Sequence, residues 1–185
     1  MSGLELPNNE PRSTYDLQVL QVNSIVTYQD KEVRNIIGED IVLETKLAPD
    51  LWWSKFDLKS MAQVFLNLVV NACEAMPEGG HLTVETSNVV LEDQYVADYP
   101  EIQGEYVLLA VQDTGCGISD DIKKYIVEPF YTTKGEKHPG LGLPMVFGHV
   151  KQFGGQVRVE SEQGMGSTFR IYLPRVEKPD PSATC

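Results

Sequence analysis

Residues 57–76 read DLKSMAQVFLNLVVNACEAM, and their spacing decides how the rest of the chain is organised. Leu58, Met61, Phe65, Leu68, Ala72 and Met76 recur at the three- and four-residue intervals of a helix with one apolar face. Asp57 can accept hydrogen bonds from the first unpaired N–H groups of that helix. Pro77, Gly79 and Gly80 stop it. Gln63, Asn67 and Asn71 are four apart and form a polar stripe beside the apolar one. Two amides one turn apart can present carbonyl oxygens to a hard cation such as Mg2+. The same stripe also suits a helix face that simply meets water.

Upstream, Val22, Val26, Val33, Ile36 and Ile37 have helical spacing, with Gly38 placed to end the helix, and residues 41–47 alternate as a strand. Downstream, residues 82–90 and 106–111 read as strands. The second is an unbroken apolar run, which predicts a central strand covered on both faces. A short helix is predicted from Ser119 or Asp120 to near Val127. Residues 130–142 form a loop rich in Gly, Lys and Thr. Pro144 then sits in the first turn of a helix that buries Leu143, Val146, Phe147 and Val150 and ends at Gly154-Gly155. Val157 and Val159 mark one closing strand and Phe169, Ile171 and Leu173 the other, with a turn over Gly164, Met165 and Gly166. This order predicts an α+β fold: a two-layer α/β sandwich with a mixed, mostly antiparallel sheet and helices on one face. Residues 1–13 are expected to be a flexible lead-in, 14–174 the domain and 175–185 a disordered tail.

The 185 residues suffice for one domain with a substantial core. No apolar run approaches the roughly 20 residues needed to cross a bilayer, and the N-terminal stretch lacks the blocks of a signal peptide. The expectation is a cytoplasmic domain without membrane contact of its own, whose parent protein can be membrane-anchored. Cys73, Cys116 and Cys185 are too widely spaced for a zinc site or a disulfide framework and read as thiols. The net charge of −12 argues against nucleic-acid binding. A polyphosphate ligand would need local help from backbone amides, a metal ion or a few lysines.

Two further clusters carry chemistry. Asp113-Thr-Gly115-Cys-Gly117 follows the apolar strand. A carboxylate there can accept a hydrogen bond from an amino group deep in a pocket, and the glycines allow a sharp turn and close approach of a ligand. An ordinary strand-ending turn reads the same way. Gly140-Leu-Gly142-Leu precedes a helix N-terminus, where free N–H groups and the helix dipole favour an anion. Lys134, Lys137 and His138 lie just upstream. A flexible surface loop with solvated lysines is the plain alternative.

Taken in order, these clusters resemble the motifs of the GHKL ATPase superfamily (the Bergerat-type fold), and within it the histidine protein kinases. Residues 63–76 are similar to the N box, Asp113 to Ile118 to the first glycine box and Glu128 to Lys134 to the F box. Gly140 to Leu143 are similar to the second glycine box, and Gly164 to Phe169 to the closing motif. The resemblance covers residues 15–174 and implies ATP and Mg2+ as ligands. It implies that Asn71 coordinates the metal, with Asn67 close to the same phosphates. Asp113 would bind the adenine amino group, Gly115 and Gly117 would shape the pocket, and Ile118 would lie against the base. Phe130, Thr132, Thr133, Lys134, Gly140, Leu141, Gly142 and Leu143 would contact nucleotide from the lid and second glycine box, and Thr168 from the final strands. Asn67, Asn71 and Lys134 would form the catalytic set. Two departures stand out. His138-Pro139 replaces a small pair before Gly140, which stiffens the lid and removes an amide donor. Glu74 stands where many kinases carry a basic residue.

Within the superfamily, hydrolytic members place a glutamate one turn before the metal asparagine, where it activates water. An amide at Asn67 accepts no proton at neutral pH, so the resemblance favours transfer to a histidine. None of His81, His138 and His149 lies in a segment resembling the family's acceptor helix. The implied partners are therefore a separate dimerisation and phosphoacceptor domain of a dimeric parent kinase and the receiver domain of a response regulator. A nucleotide-binding regulatory module without transfer activity, or another ATPase of this superfamily, is the alternative. Phosphorylation of an added acceptor domain separates the first reading from these.

Overall fold

The computed structural model describes residues 15–91, 103–126 and 141–179. The lead-in, the F box and most of the lid, with Phe130, Thr132, Thr133, Lys134 and Gly140, lie outside the described residues. The strands are β1 (Leu17–Leu20), β2 (Ile41–Leu47), β3 (Trp53–Asp57), β4 (Gly80–Leu91), β5 (Gly104–Asp113), β6 (Gln156–Glu162) and β7 (Gly166–Val176). The helices are α1 (Val22–Ile37), α2 (Leu58–Ala75), α3 (Asp120–Lys123) and α4 (Gly142–Gln152). The seven strands form one sheet in the order β1-β3-β7-β5-β4-β2, with β6 also paired to β7. Only β2 and β4 run parallel, so the expected α+β fold with a mixed, mostly antiparallel sheet is observed.

The register explains which sheet face is buried. Val84, Val111 and Phe169 lie abreast, as do Thr86, Leu109 and Ile171. All six are buried, and the five apolar ones meet Met61, Val64, Phe65 and Leu68 of α2 in one core. α1 and α4 pack on either side of α2. β5 is internal, but the expectation that both its faces are covered is not met. Val107, Leu109 and Val111 are buried, whereas Tyr106, Leu108 and Ala110 on the other face are only half-buried. Long side chains shield that face in place of a second layer. Tyr106 stands edge-on to Tyr172, the Arg158 guanidinium lies 5.2 Å from the same ring centre, and Arg170 pairs with Glu160.

Other expectations shift at their edges. β1 and β3 are short strands absent from the sequence reading, and they extend the sheet beyond β7. α3 stops at Lys123, short of Val127. β7 continues past Pro174, with Arg175 opposite Ser54 and Val176 opposite Trp53, so the expected tail boundary at 175 is overturned for those two residues.

α2 starts as its sequence predicts: Asp57 Oδ1 accepts the Ser60 N–H at 2.8 Å. The other oxygen, Oδ2, accepts the Asp16 N–H at 2.9 Å, so one carboxylate anchors both the helix and the segment before β1. Asp57→Ala is expected to cost about 1 kcal/mol, the usual loss for a cap, read as a lower urea midpoint. The Ser60 N–H is the main reason the Asp57 carboxyl is held below its ordinary range. A lowered folded-state value contributes stability above the unfolded pKa of about 3.9. That contribution is lost as the pH falls through the folded value. Stability of the wild-type chain should therefore fall more steeply toward acid than that of Asp57→Ala.

Candidate functional site

Three clusters that are far apart in sequence converge on the C-terminal half of α2. The first is the helix's own polar stripe. Gln63 Nε2 donates to Asn67 Oδ1 at 3.0 Å, and Asn67 Nδ2 lies 3.8 Å from Met145 Sδ on α4. One turn on, Asn71 Nδ2 is buried without a hydrogen-bond partner among the described residues. A buried unpaired amide is costly, and the N and O assignment of such a group follows from its neighbours. Asn71 thus keeps hydrogen-bonding capacity that the described residues do not use.

Beside Asn71 is the first turn of α4. A Cβ built on Gly142 would lie 3.9 Å from Asn71 Nδ2, an ordinary van der Waals contact, so the two residues lie side by side. The N-cap is Leu141, whose side chain makes no capping bond. By position, the amides of Gly142 and Leu143 have no intrahelical acceptor, and Pro144 has no N–H to satisfy. An apolar cap on a glycine-started helix leaves an uncapped positive dipole end beside Asn71.

The third cluster is the end of β5 and the loop after it. Asp113 is 4% exposed, and its Oδ1 accepts the Gly115 N–H at 2.8 Å. The loop is fastened on three sides. Cys116 N donates to Ala75 O at 2.9 Å, and Gly164 N donates to Cys116 O at 2.8 Å. Ile118 N donates to Ser161 Oγ at 2.7 Å. The glycines allow the sharp turn expected of them and a close approach of neighbouring backbone. A Cβ on Gly115 would sit 2.5 Å from Ala75 O, and one on Gly117, at φ 66°, would overlap Glu162 O. Ile118 is half-buried against the core.

Asn67, Asn71, Asp113, Gly115, Gly117, Ile118, Leu141, Gly142 and Leu143 are thus brought to one region of the fold. Thr168 is not. It pairs with Gln112, and the residue opposite Asp113 is Ser167, which is 6% exposed and shares a 2.9 Å contact with Ser161 Oγ. The inward alternation of Phe169, Ile171 and Leu173 extends back to Ser167, not to Thr168. Ser161, Ser167 and Met145 are therefore neighbours of the site that the motif resemblance passed over. Among the described residues no group of three or more His, Cys, Asp or Glu side chains is arranged to hold a metal ion. No described helix is long and apolar enough to cross a membrane.

Residues 56–177 match the family described as Histidine kinase-, DNA gyrase B-, and HSP90-like ATPase. The chain is 42% identical over 167 residues to the sensor kinase CckA of Brucella abortus, covering 89% of this chain and 18% of that protein. It is 36% identical over 141 residues to sporulation kinase C of Bacillus subtilis (76% and 29%). It is 32% identical over 176 residues to the sensor histidine kinase ZraS of Escherichia coli (89% and 33%). The chain thus spans a third or less of the length of these relatives. Its fold is that of the mycobacterial sensor histidine kinase MprB, with a TM-score of 0.69 at 24% identity over 87% of this chain and 99% of that one. Full-length ShkA in complex with AMPPNP gives 0.72 at 24% identity, covering 91% and 33%. The chain belongs to the Histidine kinase-, DNA gyrase B-, and HSP90-like ATPase family, and the relatives that match it along most of its length are sensor kinases.

Proposed function

We propose that this chain binds Mg2+-ATP between α2, the loop after β5 and the first turn of α4. It then transfers the γ-phosphoryl group to a histidine on a separate dimerisation and phosphoacceptor domain, from which a response regulator receiver domain takes it. The observation that carries this reading is the convergence just described: a buried carboxylate, an unpaired asparagine amide and an uncapped helix N-terminus arranged along one helix. Asp113 takes the adenine amino group, Ile118 lies against the base, and Ser167 replaces Thr168 on the pocket wall. The amides of Gly142 and Leu143 receive phosphate oxygens, with Asn67 beside them. Phe130, Thr132, Thr133, Lys134 and Gly140 lie outside the described residues and enter the proposal as further nucleotide contacts, with Lys134 countering phosphate charge.

The metal suits the residues present. With no carboxylate cluster among the described residues, Mg2+ would be held by Asn71 and by oxygens of the nucleotide itself, as this cation prefers, and would neutralise phosphate charge. Its ligand would be the Oδ1 of Asn71, while the unpartnered Nδ2 is a donor that a phosphate oxygen would satisfy. Asn71→Ala should therefore weaken Mg2+-ATP binding about tenfold, the scale of one charge-assisted contact. Metal-free ADP should change less than about twofold. Calorimetry of both ligands decides, and equal losses would contradict the division of roles between Asn71 and Asp113. The domain is assigned to the cytoplasm, where ATP coexists with free thiols such as Cys73 and Cys116.

A further inference from the structure

α2 and α4 lie antiparallel and touch along their length. Asn67 meets Met145 midway, and Asn71 meets Gly142 at the phosphate end. At the opposite end, the segment before β1 reaches both helices. Asp16 N bonds the Asp57 carboxylate that caps α2. The Tyr15 hydroxyl lies 3.1 Å from His149 Nδ1 in the last turn of α4. The Tyr15 ring stands edge-on to His149 at 5.6 Å and to Phe153 at 5.9 Å, and Phe153 packs on Phe56 of β3 at 6.4 Å. Two successive residues thus hold the N-terminus of one site-bearing helix and the C-terminus of the other.

We infer that Tyr15 and Asp16 are positioning residues for the phosphate site, a clasp that sets the spacing of α2 and α4 and hence the approach of Asn71 to the first turn of α4. The inference rests on the reading of that junction as the phosphate site. Helices move as near-rigid bodies within a close-packed core. Loosening one end of an antiparallel pair therefore changes the spacing at the other, about 20 Å away along α2 at 1.5 Å per residue. Chain preceding residue 15 would act on nucleotide affinity through this clasp, as a coupling between two separate places.

The test compares Tyr15→Phe, which removes only the hydroxyl, Tyr15→Ala, which also removes the ring contacts, and Ile37→Val. Ile37 ends α1 and is 8% exposed, so its truncation lowers stability without touching the clasp. Mg2+-ATP affinity is read by calorimetry, and the Asn71 side-chain amide and the Gly142 backbone amide by NMR. Affinity should fall about threefold in Tyr15→Phe and about tenfold in Tyr15→Ala. Both amide signals should move in the two Tyr15 variants and stay in place in Ile37→Val, at a comparable loss of melting temperature. Unmoved amide signals in Tyr15→Ala, or the same changes in Ile37→Val, overturn the clasp. A wild-type chain that fails to bind Mg2+-ATP while its amide signals still respond to Tyr15→Ala would sink the nucleotide reading and keep the clasp.

Discussion

Asp113→Asn is expected to weaken ADP binding roughly 10- to 100-fold, the range for losing a charge-assisted hydrogen bond, while leaving the melting transition nearly in place. The two halves of this result have separate causes. Asp113 Oδ1 already accepts the Gly115 N–H at 2.8 Å, and an asparagine oxygen can take over that bond, so the loop keeps its shape. The second carboxylate oxygen becomes an NH2 group. Where an adenine amino group donates, a donor would then face a donor in a position only 4% exposed. Ser167→Ala offers a comparison. It removes a hydroxyl beside Ser161 but no charge, so its effect on ADP should be several-fold smaller. Calorimetry with ADP, paired with a thermal melt, reads both halves. Unchanged affinity in a folded Asp113→Asn chain would move the adenine pocket elsewhere.

The parts of this fold that were legible in the sequence are those whose physics is local. α2 is capped by Asp57 and buries the stripe its spacing marks except at its first residue, Leu58, which is exposed, and α1 ends at Gly38, at φ 68°. The strands with alternation or long apolar runs also lie where expected. What was not legible depends on partners distant in sequence. β1 has four residues and β3 five, and their pairing with each other and with the end of β7 is a matter of tertiary geometry that no short window carries. β5 reads as fully covered because its outer residues are apolar, yet Tyr172 and Arg158 from β7 and β6 shield them. The site divides the same way. Asn71 and Asp113 were visible by residue type and position. The need for glycine at 115 and 117 was visible too, but its cause, the carbonyls of Ala75 and Glu162, lies on other elements. Thr168 shows the hazard of carrying a role over from a motif. A shift of one residue along a strand changes the face, and the register places Ser167 opposite Asp113.

Incubated alone with Mg2+ and labelled ATP, the chain is expected to bind nucleotide yet carry no acid-labile phosphate, because none of its described histidines lies where a γ-phosphoryl group would be delivered. His149 is seven residues along α4 from Gly142, about 10 Å at helical rise, and Tyr15 engages it at the far end of the helix pair. The His81 backbone exchanges hydrogen bonds with Thr114, which places it beside the loop after Asp113, at the adenine end of the proposed cleft. His138 lies outside the described residues, and its sequence surroundings do not resemble an acceptor helix. Water is a poor substitute acceptor here. Asn67 offers an amide bonded to Gln63 and Met145, and an amide takes no proton from water at neutral pH. Phosphoryl transfer depends on positioning an acceptor and stabilising charge, so a complete nucleotide pocket without an acceptor should turn over only slowly. Adding the matching dimerisation and phosphoacceptor domain in trans should produce labelling that is lost in acid and survives alkali. That labelling should be weak, because separation forfeits the effective concentration a covalent link supplies. Rapid self-labelling of the chain alone, or brisk hydrolysis abolished by Asn67→Ala, would show that Asn67 and the chain's own histidines do chemistry that this geometry denies them.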